Sequence, residues 1–150
     1  MLKIRDGPGN AKALISVSTI EDRTRRGIRQ AFFGLGDDLL KELSDQMLEK
    51  NKTGRIYIRK TRSGARRKHK SSGPGQTPAN RTGTLRKSRG YQLKGSDQME
   101  FGYREEYGKF LESGTKKMSA RPGLKNTVDA TQKTARNRFT ASIRRELTKL

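Results

Sequence analysis

A long amphipathic segment is the strongest structural signal in this sequence. Residues 28–48 read IRQAFFGLGDDLLKELSDQML, and their apolar side chains recur at steps of three and four. This spacing places them on one face of an α-helix, where they can be buried against another element. The predicted face consists of Ile28, Phe32, Leu35, Leu39, Leu43 and Met47, with Leu40 and Leu48 beside it.

The boundaries of this helix follow from capping residues. Ser18 and Thr19 are each followed three residues later by a carboxylate, Glu21 or Asp22, which is the spacing of a capping box. We expect the helix to begin there and to end near residue 50, with a kink or break at the glycines 34 and 36. Upstream, residues 13–18 alternate weakly and predict a short strand. The glycines and proline of residues 7–10 predict a loop, so residues 1–12 are expected to form a flexible arm.

Beyond the first helix the pattern changes to a period of two. Residues 55–59 (RIYIR) predict a strand, residues 62–64 a turn, and residues 65–71 the second arm of a basic hairpin. Residues 73–78 (GPGQTP) predict an irregular loop, because two prolines and two glycines disfavour regular structure. Residues 91–94 and 98–103 predict a second antiparallel hairpin.

Two further helices are predicted after the second hairpin. Residues 105–113 form a short helix that Gly114 stops, and Pro122 fits the first turn of the last helix. An apolar stripe continues to the C-terminus, formed by Leu124, Val128, Ala135, Phe139, Ile143 and Leu147. The prediction is an α+β fold in a single domain over residues 1–150. Two long helices, N-terminal and C-terminal, pack on a small antiparallel or mixed sheet, and residues 55–80 extend from it as a protruding basic hairpin and loop.

The composition excludes several classes of function. The chain has 150 residues, 35 Lys and Arg against 15 Asp and Glu, a net charge of +20 and 29% hydrophobic residues. Since globular domains typically contain ~45–50% apolar residues, only a modest core is expected. The absence of cysteine excludes disulfides, thiolate metal sites and cysteine catalysis. No apolar run approaches the ~20 residues that cross a bilayer, so we expect a soluble protein with no membrane partner.

No arrangement of residues predicts an enzyme. The adjacent carboxylates Asp37-Asp38 and Glu105-Glu106 do not face each other on a helix and have no third ligand nearby in sequence. The single histidine, His69, stands among arginines and lysines and is expected to belong to a basic surface. The glycines of residues 73–75 lack the Gly-Lys-Ser/Thr ending of a phosphate-binding loop. We therefore expect no catalytic residue, no metal and no cofactor.

The positive charge is concentrated in one segment. Residues 50–96 contain 15 Lys and Arg and no acidic residue, which leaves an excess of only +5 for the rest of the chain. Such a segment either contacts a polyanion, typically a nucleic-acid backbone, or forms a solvated mobile loop. Tyr57 is the only Phe, Tyr or Trp residue in the part of the segment where Lys and Arg are most concentrated, residues 50–70. Stacking on unpaired bases is therefore not expected. Duplex phosphates are the favoured nucleic-acid partner, without sequence readout.

Two segments resemble a known protein family. Residues 107–124 read YGKFLESGTKKMSARPGL, and residues 71–88 read SSGPGQTPANRTGTLRKS. They are similar to the patterns Y-A-x-[YF]-[VL]-E-x-G-T-x-x-M-x-A-x-P-F-L and S-A-P-G-x-x-P-A…T-G-x-L-R-x-S of the tail-component family of long-tailed bacteriophages (tail-completion, or neck, proteins). The resemblance covers roughly residues 20–148. The matching positions are Pro74, Gly75, Pro78, Thr82, Gly83, Leu85, Tyr107, Glu112, Gly114, Thr115, Pro122 and Leu124.

The chain departs from the family pattern at three places. Gly108 stands where the family usually has alanine, Ser113 where phenylalanine is common, and Gly123 where phenylalanine commonly follows the proline. The matching residues also have a physical rationale of their own. Gly114 can end the short helix with a left-handed conformation, and Thr115 offers a hydroxyl to the backbone of the turn. For Glu112 we expect a turn-stabilising hydrogen bond, since no partner of the kind that a catalytic carboxylate needs is present.

The resemblance implies a structural virion protein. Family members act in tail completion or head–tail joining, so this chain is expected to form a homo-oligomeric ring, predicted to be a hexamer. The ring is expected to stack on neighbouring neck and tail proteins in the virion. The chain would be synthesised in the host cytoplasm. Double-stranded DNA would pass through the lumen without sequence-specific contacts. The residues expected to face DNA, or to dock on an acidic neighbouring protein, are Arg55, Arg59, Lys60, Arg62, Arg66, Arg67, Lys68 and Lys70.

One alternative function remains open on the sequence alone. The chain could be a small basic nucleic-acid-binding protein of a non-virion type, whose isolated monomer would bind tightly and in a salt-dependent manner.

Overall fold

The structure is a computed structural model that describes residues 8–149, with side chains described from residue 18 onward. It has an α+β fold, in which two long helices pack with two small antiparallel two-stranded sheets. The sheet prediction is corrected in one respect, since β1–β2 and β3–β4 are separate hairpins that share no backbone pairing. The elements are α1 (Pro8–Leu48), β1 (Ile56–Lys60), β2 (Arg66–Lys70), α2 (Thr84–Ser88), β3 (Arg89–Lys94), β4 (Gln98–Tyr103), α3 (Tyr107–Ser113) and α4 (Gly123–Leu147).

The body of the protein is the pair formed by α1 and α4. The two helices run antiparallel, since Gly27 of α1 lies against Ile143 of α4 and Gln46 of α1 lies against Thr127. The rings of Phe32 and Phe139 meet edge to face at 4.9 Å between centroids. The buried apolar side chains of the described residues are those of Ala31, Leu39, Leu43 and Met47. The predicted apolar face of α1 is therefore confirmed in its second half, except that Leu48 is 51% exposed.

The predicted apolar stripe of α4 is only partly right. Val128 is 48% exposed, whereas Thr127 and Thr131 are buried against α1. Each threonine hydroxyl donates a hydrogen bond to the carbonyl four residues earlier, at 2.8 Å for Thr127 and 2.9 Å for Thr131. Burial of a hydroxyl costs little when its hydrogen bond is made within the helix. The threonines can therefore fill the narrow space between the two helices.

Helix α1 begins ten residues earlier than the predicted cap. It starts at Pro8 and continues through Ser18 and Thr19, so the predicted strand over residues 13–18 and the loop over residues 8–10 are wrong; residues 1–7 lie outside the described residues. Proline is favoured at the first position of a helix, and the alanines and leucine of residues 11–14 are strong helix formers. These preferences outweigh the weak alternation.

Helix α1 is not broken at its glycines. A Cβ atom on Gly27 would lie 2.9 Å from the Cα atom of Ile143, and a Cβ atom on Gly36 would overlap the ring of Tyr91. Gly27 and Gly36 therefore allow α4 and β3 to approach α1 closely. Close packing, and not a break in the helix, explains why glycine stands at these positions. The Tyr91 hydroxyl donates to Asp37 Oδ1 at 3.1 Å, which fixes the second hairpin on α1.

Candidate nucleic-acid interface

The basic segment folds as the predicted antiparallel hairpin. Residues of β1 pair with β2 in the register Tyr57 with His69 and Arg59 with Arg67. Gly64 takes a positive φ of 82° in the connecting turn, where its amide donates to the carbonyl of Thr61 at 2.9 Å. At the base, the amide of Ser71 donates to the carbonyl of Arg55 at 2.9 Å. That the hairpin protrudes from the body remains a prediction.

The pairing register divides the hairpin into two faces of different chemistry. Directly opposed residues of an antiparallel pair lie on the same side, and successive residues alternate between sides. One side carries Tyr57, Arg59, Arg67 and His69, and we name it the tyrosine face. The other side, the isoleucine face, carries Ile56, Ile58, Lys60, Arg66, Lys68 and Lys70. Both faces are therefore cationic, but only one combines its charges with aliphatic side chains.

The eight cations that the sequence analysis selected are all exposed. Arg62 lies in the turn at the tip, Arg55 precedes β1 at the base, and the other six belong to the two strands. The four ion pairs seen among the described residues involve none of them. Their charges are thus available to an external anion, and the arrangement suits contacts with a phosphate backbone.

A cleft of about 430 Å³ lies beside the tyrosine face. Tyr57 and His69 of the hairpin line it together with Tyr107 of α3, and Arg81 and Arg121 add two further cations. This grouping is not predictable from local sequence patterns, because the residues lie up to 64 positions apart along the chain. No acidic residue lines the cleft, so it extends the cationic surface of the hairpin onto the body of the protein.

The cleft contains one buried polar group without a partner. Ser72 is 1% exposed, and its Oγ atom has no hydrogen-bond partner among the described residues. Its neighbour Ser71 uses its hydroxyl at the base of the hairpin, where Oγ donates to the carbonyl of Arg55 at 3.2 Å. Both serines are buried at the base of the hairpin, where Ser71 joins its two strands.

The loop over residues 73–78 is irregular, as predicted, and a single side chain organises it. The Oε1 atom of Gln76 accepts hydrogen bonds from the amide of Gly73 at 2.8 Å and from the amide of Thr53 at 2.9 Å. Asn126 of α4 donates to the carbonyl of Gly75 at 3.0 Å. Gly75 itself has a φ of 73°. The loop therefore ties the segment between α1 and β1 to the start of α4, and neither Gln76 nor Asn126 is predicted from the sequence.

The second motif segment forms the turn between α3 and α4. Gly114 ends α3 with a positive φ of 76°, as expected, although its ψ of −178° differs from that of a left-handed helix. Thr115 and Met118 form an isolated bridge, and Thr115 Oγ1 accepts from the amide of Lys117 at 3.3 Å. The turn is packed so closely that a Cβ atom on Gly114 would lie 2.8 Å from the carbonyl oxygen of Met118.

Glu112 and Pro122 act together at the start of α4. Helix α4 begins at Gly123, so Pro122 occupies its N-cap, one position before the predicted one, and offers no side-chain acceptor. The Oε1 atom of Glu112 accepts a hydrogen bond from the amide of Leu124 at 2.8 Å instead. An acceptor with negative charge stabilises the first turn of a helix. The carboxylate is therefore occupied by a backbone contact.

The first motif segment is completed by Thr82, Gly83 and Leu85. Gly83 has a φ of 84° and stands at the N-cap of α2, a short helix that the sequence analysis did not predict. Thr82 Oγ1 accepts from the amide of Thr84 at 3.4 Å. The segment reaches α1 through Asn80, whose amide donates to the carbonyl of Met47 at 3.1 Å. Pro78 and Leu85 line the cleft with Tyr107.

Tyr103 accounts for two of the departures from the family pattern. A Cβ atom on Gly108 would lie 2.8 Å from Cδ2 of Tyr103, and one on Gly123 would overlap the Tyr103 hydroxyl. The tyrosine ring therefore fills the space that larger residues at positions 108 and 123 would need. Ser113 donates to the carbonyl of Lys109 at 2.8 Å and is exposed.

The comparisons with protein-family models, with curated proteins and with solved structures found no match. Within residues 8–149 no helix is long and apolar enough to cross a membrane. The same residues contain no group of three or more His, Asp or Glu side chains that could hold a metal ion.

Proposed function

We propose that this protein is a structural subunit of a ring at the neck of a long-tailed bacteriophage, in tail completion or head–tail joining, with the genomic DNA passing through the lumen. The observation that carries the proposal is the hairpin of residues 55–70, whose cations are exposed and unpaired among the described residues. The resemblance of residues 71–88 and 107–124 to the tail-component family supplies the virion context.

The chemistry of the hairpin supports contact with duplex DNA that carries no sequence information. Each Lys or Arg that meets a phosphate releases condensed counterions, and this gain is the same for every base sequence. DNA that moves through a channel needs attraction of this kind without base-specific contacts that would hold it in place. The hairpin has charge on both faces and at its tip, as such a surface requires.

The motif residues support a structural role. Glu112 and Gly114 shape the connection between α3 and α4, and Gly75 and Gly83 shape the loops beside the cleft. Their contacts are with backbone atoms of this chain, so the motif determines how α4 joins the rest of the body. We do not assign catalysis to any of these residues.

The proposal is tested by electron microscopy of the virion neck. We expect a ring of this chain, predicted to contain six copies, with the hairpins directed into the lumen. A neck in which the cations of the hairpin lie on the outer rim would contradict the DNA contact but not the ring. A virion that lacks the protein altogether would contradict the proposal as a whole.

A non-virion nucleic-acid-binding protein is the second candidate. The observation that favours it is the cleft in which Tyr57 and Tyr107 lie together with Arg81 and Arg121, because aromatic rings beside cations suit unpaired bases. It predicts that the isolated monomer prefers single-stranded to double-stranded oligonucleotides, and that Tyr107→Ala abolishes this preference. The ring proposal predicts weak binding by the monomer and no preference for single strands.

A further inference from the structure

The isoleucine face of the hairpin combines apolar and cationic side chains in a way that DNA contact does not explain. Ile56 is 62% exposed and Ile58 is 60% exposed, and each lies directly opposite a lysine, Lys70 and Lys68 respectively. Isoleucine side chains form neither hydrogen bonds nor ion pairs with a phosphate backbone. Exposed apolar side chains beside charged ones are instead characteristic of a surface that binds another protein.

A surface of opposite charge is present on α1. Residues 37–49 contain five acidic residues and one lysine. Asp38 is paired with Arg138, and the exposed charges of this segment are those of Asp37, Asp45, Glu49 and Lys41, a net charge of −2 in a chain of +20. Phe33, Asp37, Lys41, Asp45 and Leu48 are all exposed, and their spacing of four, four, four and three residues places them on one stripe of the helix. We name these five residues, together with the exposed Glu49, the acidic stripe.

Like the isoleucine face, the acidic stripe combines exposed apolar side chains with charged ones, and its charge is of the opposite sign. Its ends carry exposed apolar side chains, Phe33 at 44% and Leu48 at 51% exposure. Asp45 and Glu49 flank Leu48, and neither takes part in an ion pair among the described residues. The part of the stripe from Asp37 to Leu48 spans about 17 Å along the helix, which is the length of five strand residues, and Phe33 lies one helical turn beyond it.

From this complementarity we infer that the isoleucine face of one copy docks on the acidic stripe of a second copy of this chain. The two surfaces are different, so the contact is head to tail, and repetition of such a contact produces a ring when the rotation closes. The inference rests on the proposed ring and identifies the surfaces that join its subunits. It also assigns different partners to the two faces of the hairpin. The isoleucine face contacts a second copy, and the tyrosine face together with Arg62 at the tip contacts DNA.

Cysteine cross-linking tests the contact directly, because the chain contains no native cysteine. Ile58→Cys and Leu48→Cys are prepared separately, mixed and oxidised, and the disulfide-linked heterodimer is measured on a non-reducing gel. A disulfide needs Cα atoms about 4.4–6.8 Å apart, so it forms only where the two surfaces meet. The matched control is Arg59→Cys with Leu48→Cys, since Arg59 lies on the opposite face of the same strand. We expect the Ile58 pair to cross-link and the Arg59 pair to remain at background; equal yields overturn the inference.

Charge reversal provides the second measurement, by sedimentation velocity of the full chain. Lys68→Glu with Lys70→Glu, and Asp45→Lys with Glu49→Lys, should each raise the dissociation constant for self-association about tenfold or more, because like charges then face each other. The four substitutions in one chain restore opposite charges and should restore assembly. The control is Arg59→Glu with Arg67→Glu, which changes the net charge equally on the tyrosine face and should leave assembly unchanged.

The outcomes separate this inference from the proposed function. Rings that form regardless of the charges on the isoleucine face, or a fourfold variant that does not recover assembly, overturn the docking contact and leave the ring intact. A wild-type chain that neither assembles in solution nor forms a ring in the virion contradicts the proposed function and the inference together.

Discussion

The carboxylate of Glu112 accepts a hydrogen bond from the amide of Leu124, 2.8 Å away at the start of α4. Helix α4 has no capping side chain of its own, because its N-cap residue is Pro122. A residue in the last turn of α3 therefore caps α4, across a turn in which Gly114 has a positive φ. This contact joins α3 to the first turn of α4, beside the hydrogen bond from the amide of Arg121 to the carbonyl of Leu111.

Glu112→Ala should lower the free energy of unfolding by about 1–2 kcal/mol, as the loss of a helix cap does. Glu112→Gln keeps an acceptor oxygen and loses only the charge, so it should cost no more than about 1 kcal/mol. Urea unfolding followed by circular dichroism measures both variants. Equal losses for the two would show that the charge matters and the hydrogen bond does not.

Gly27→Ala should destabilise the protein, although alanine is the better helix former by about 1 kcal/mol. The added methyl group would meet the backbone of α4, 2.9 Å from Cα of Ile143, and the two helices would have to separate. Overpacking of this kind typically costs about 1–3 kcal/mol, so a net loss is expected. Thermal unfolding of the variant measures it.

Gly34→Ala is the matched control for this substitution. At position 34 the nearest atoms to the methyl group all belong to the side chain of Arg138, which can shift at the expense of its ion pair with Asp38 while the backbone of α4 stays in place. We therefore expect Gly34→Ala to be nearly neutral. A Gly27→Ala variant that is as stable as Gly34→Ala would show that close helix contact is not what α1 requires at residue 27.

Lys52 should make the stability depend on pH in the alkaline range. The side chain is 4% exposed and donates from Nζ to the carbonyl of Gln46, in the last turn of α1, at 2.7 Å. Burial lowers the pKa of Lys52 below its ordinary value of 10.5, and Glu49 partly opposes the shift. Between the folded and the unfolded pKa the unfolded chain binds more protons, so the free energy of unfolding rises with pH there.

The measurement for Lys52 compares the wild type with Lys52→Met by urea unfolding between pH 7 and pH 10. The stability of the wild type relative to the variant should increase as the pH rises towards 10.5. Lys133→Met, at an exposed position of α4, serves as the control and should show no such trend. A difference that is constant with pH would contradict the burial of a charged Lys52.

Tyr103 should make the free energy of unfolding fall with increasing pH, which is the opposite of the effect of Lys52 and occurs at higher pH. Its hydroxyl is buried without a hydrogen-bond partner among the described residues. Burial raises the pKa of Tyr103, and the charge of Glu112 raises it further. Above pH 10 the unfolded chain loses the phenolic proton while the folded chain keeps it, so the stability of the wild type falls.

Tyr103→Phe should remove this loss of stability above pH 10. At pH 7 the variant should be as stable as the wild type or more stable by about 1 kcal/mol, because it lacks the unsatisfied buried hydroxyl. Tyr57→Phe, at an exposed position, is the control. A Tyr103→Phe variant that loses stability at pH 7 would reveal a hydrogen bond to the hydroxyl.

Local periodicity predicted most of the regular structure. The strand pairs follow from alternation and turn residues, and Leu39, Leu43 and Met47 are buried as their spacing predicted. These features depend on residues that are close together in sequence. The start of α1 differs from the prediction because the helix formers before Ser18 and Thr19 outweigh the capping pattern of these two residues.

Features that depend on contacts between distant residues were not predictable in this way. Thr127 and Thr131 are polar by composition, and only the closeness of α1 makes them core residues. Gln76 organises a loop through atoms of residues 53 and 73. The cleft beside the tyrosine face joins residues from widely separated parts of the chain, so the sequence revealed its cations but not their grouping.

The tyrosine face supplies the last prediction, which concerns DNA. Arg59 and Arg67 are opposed on the hairpin and exposed, so one duplex can contact both. If each contacts a phosphate, Arg59→Gln with Arg67→Gln should reduce the slope of log K against log salt concentration by about 2, or about 1 per residue, equally for duplexes of different sequence. Fluorescence anisotropy at several salt concentrations gives the slope.

The control for the DNA measurement removes the same charge from the body. The control variant is Lys133→Gln with Arg136→Gln. Both residues are exposed on α4 and are distant in sequence from the hairpin. It lowers the net charge by the same amount, so a general electrostatic effect would change both slopes alike. Phosphate contacts by the hairpin predict a change only for the arginine pair, and a loss confined to particular base sequences would contradict a backbone contact.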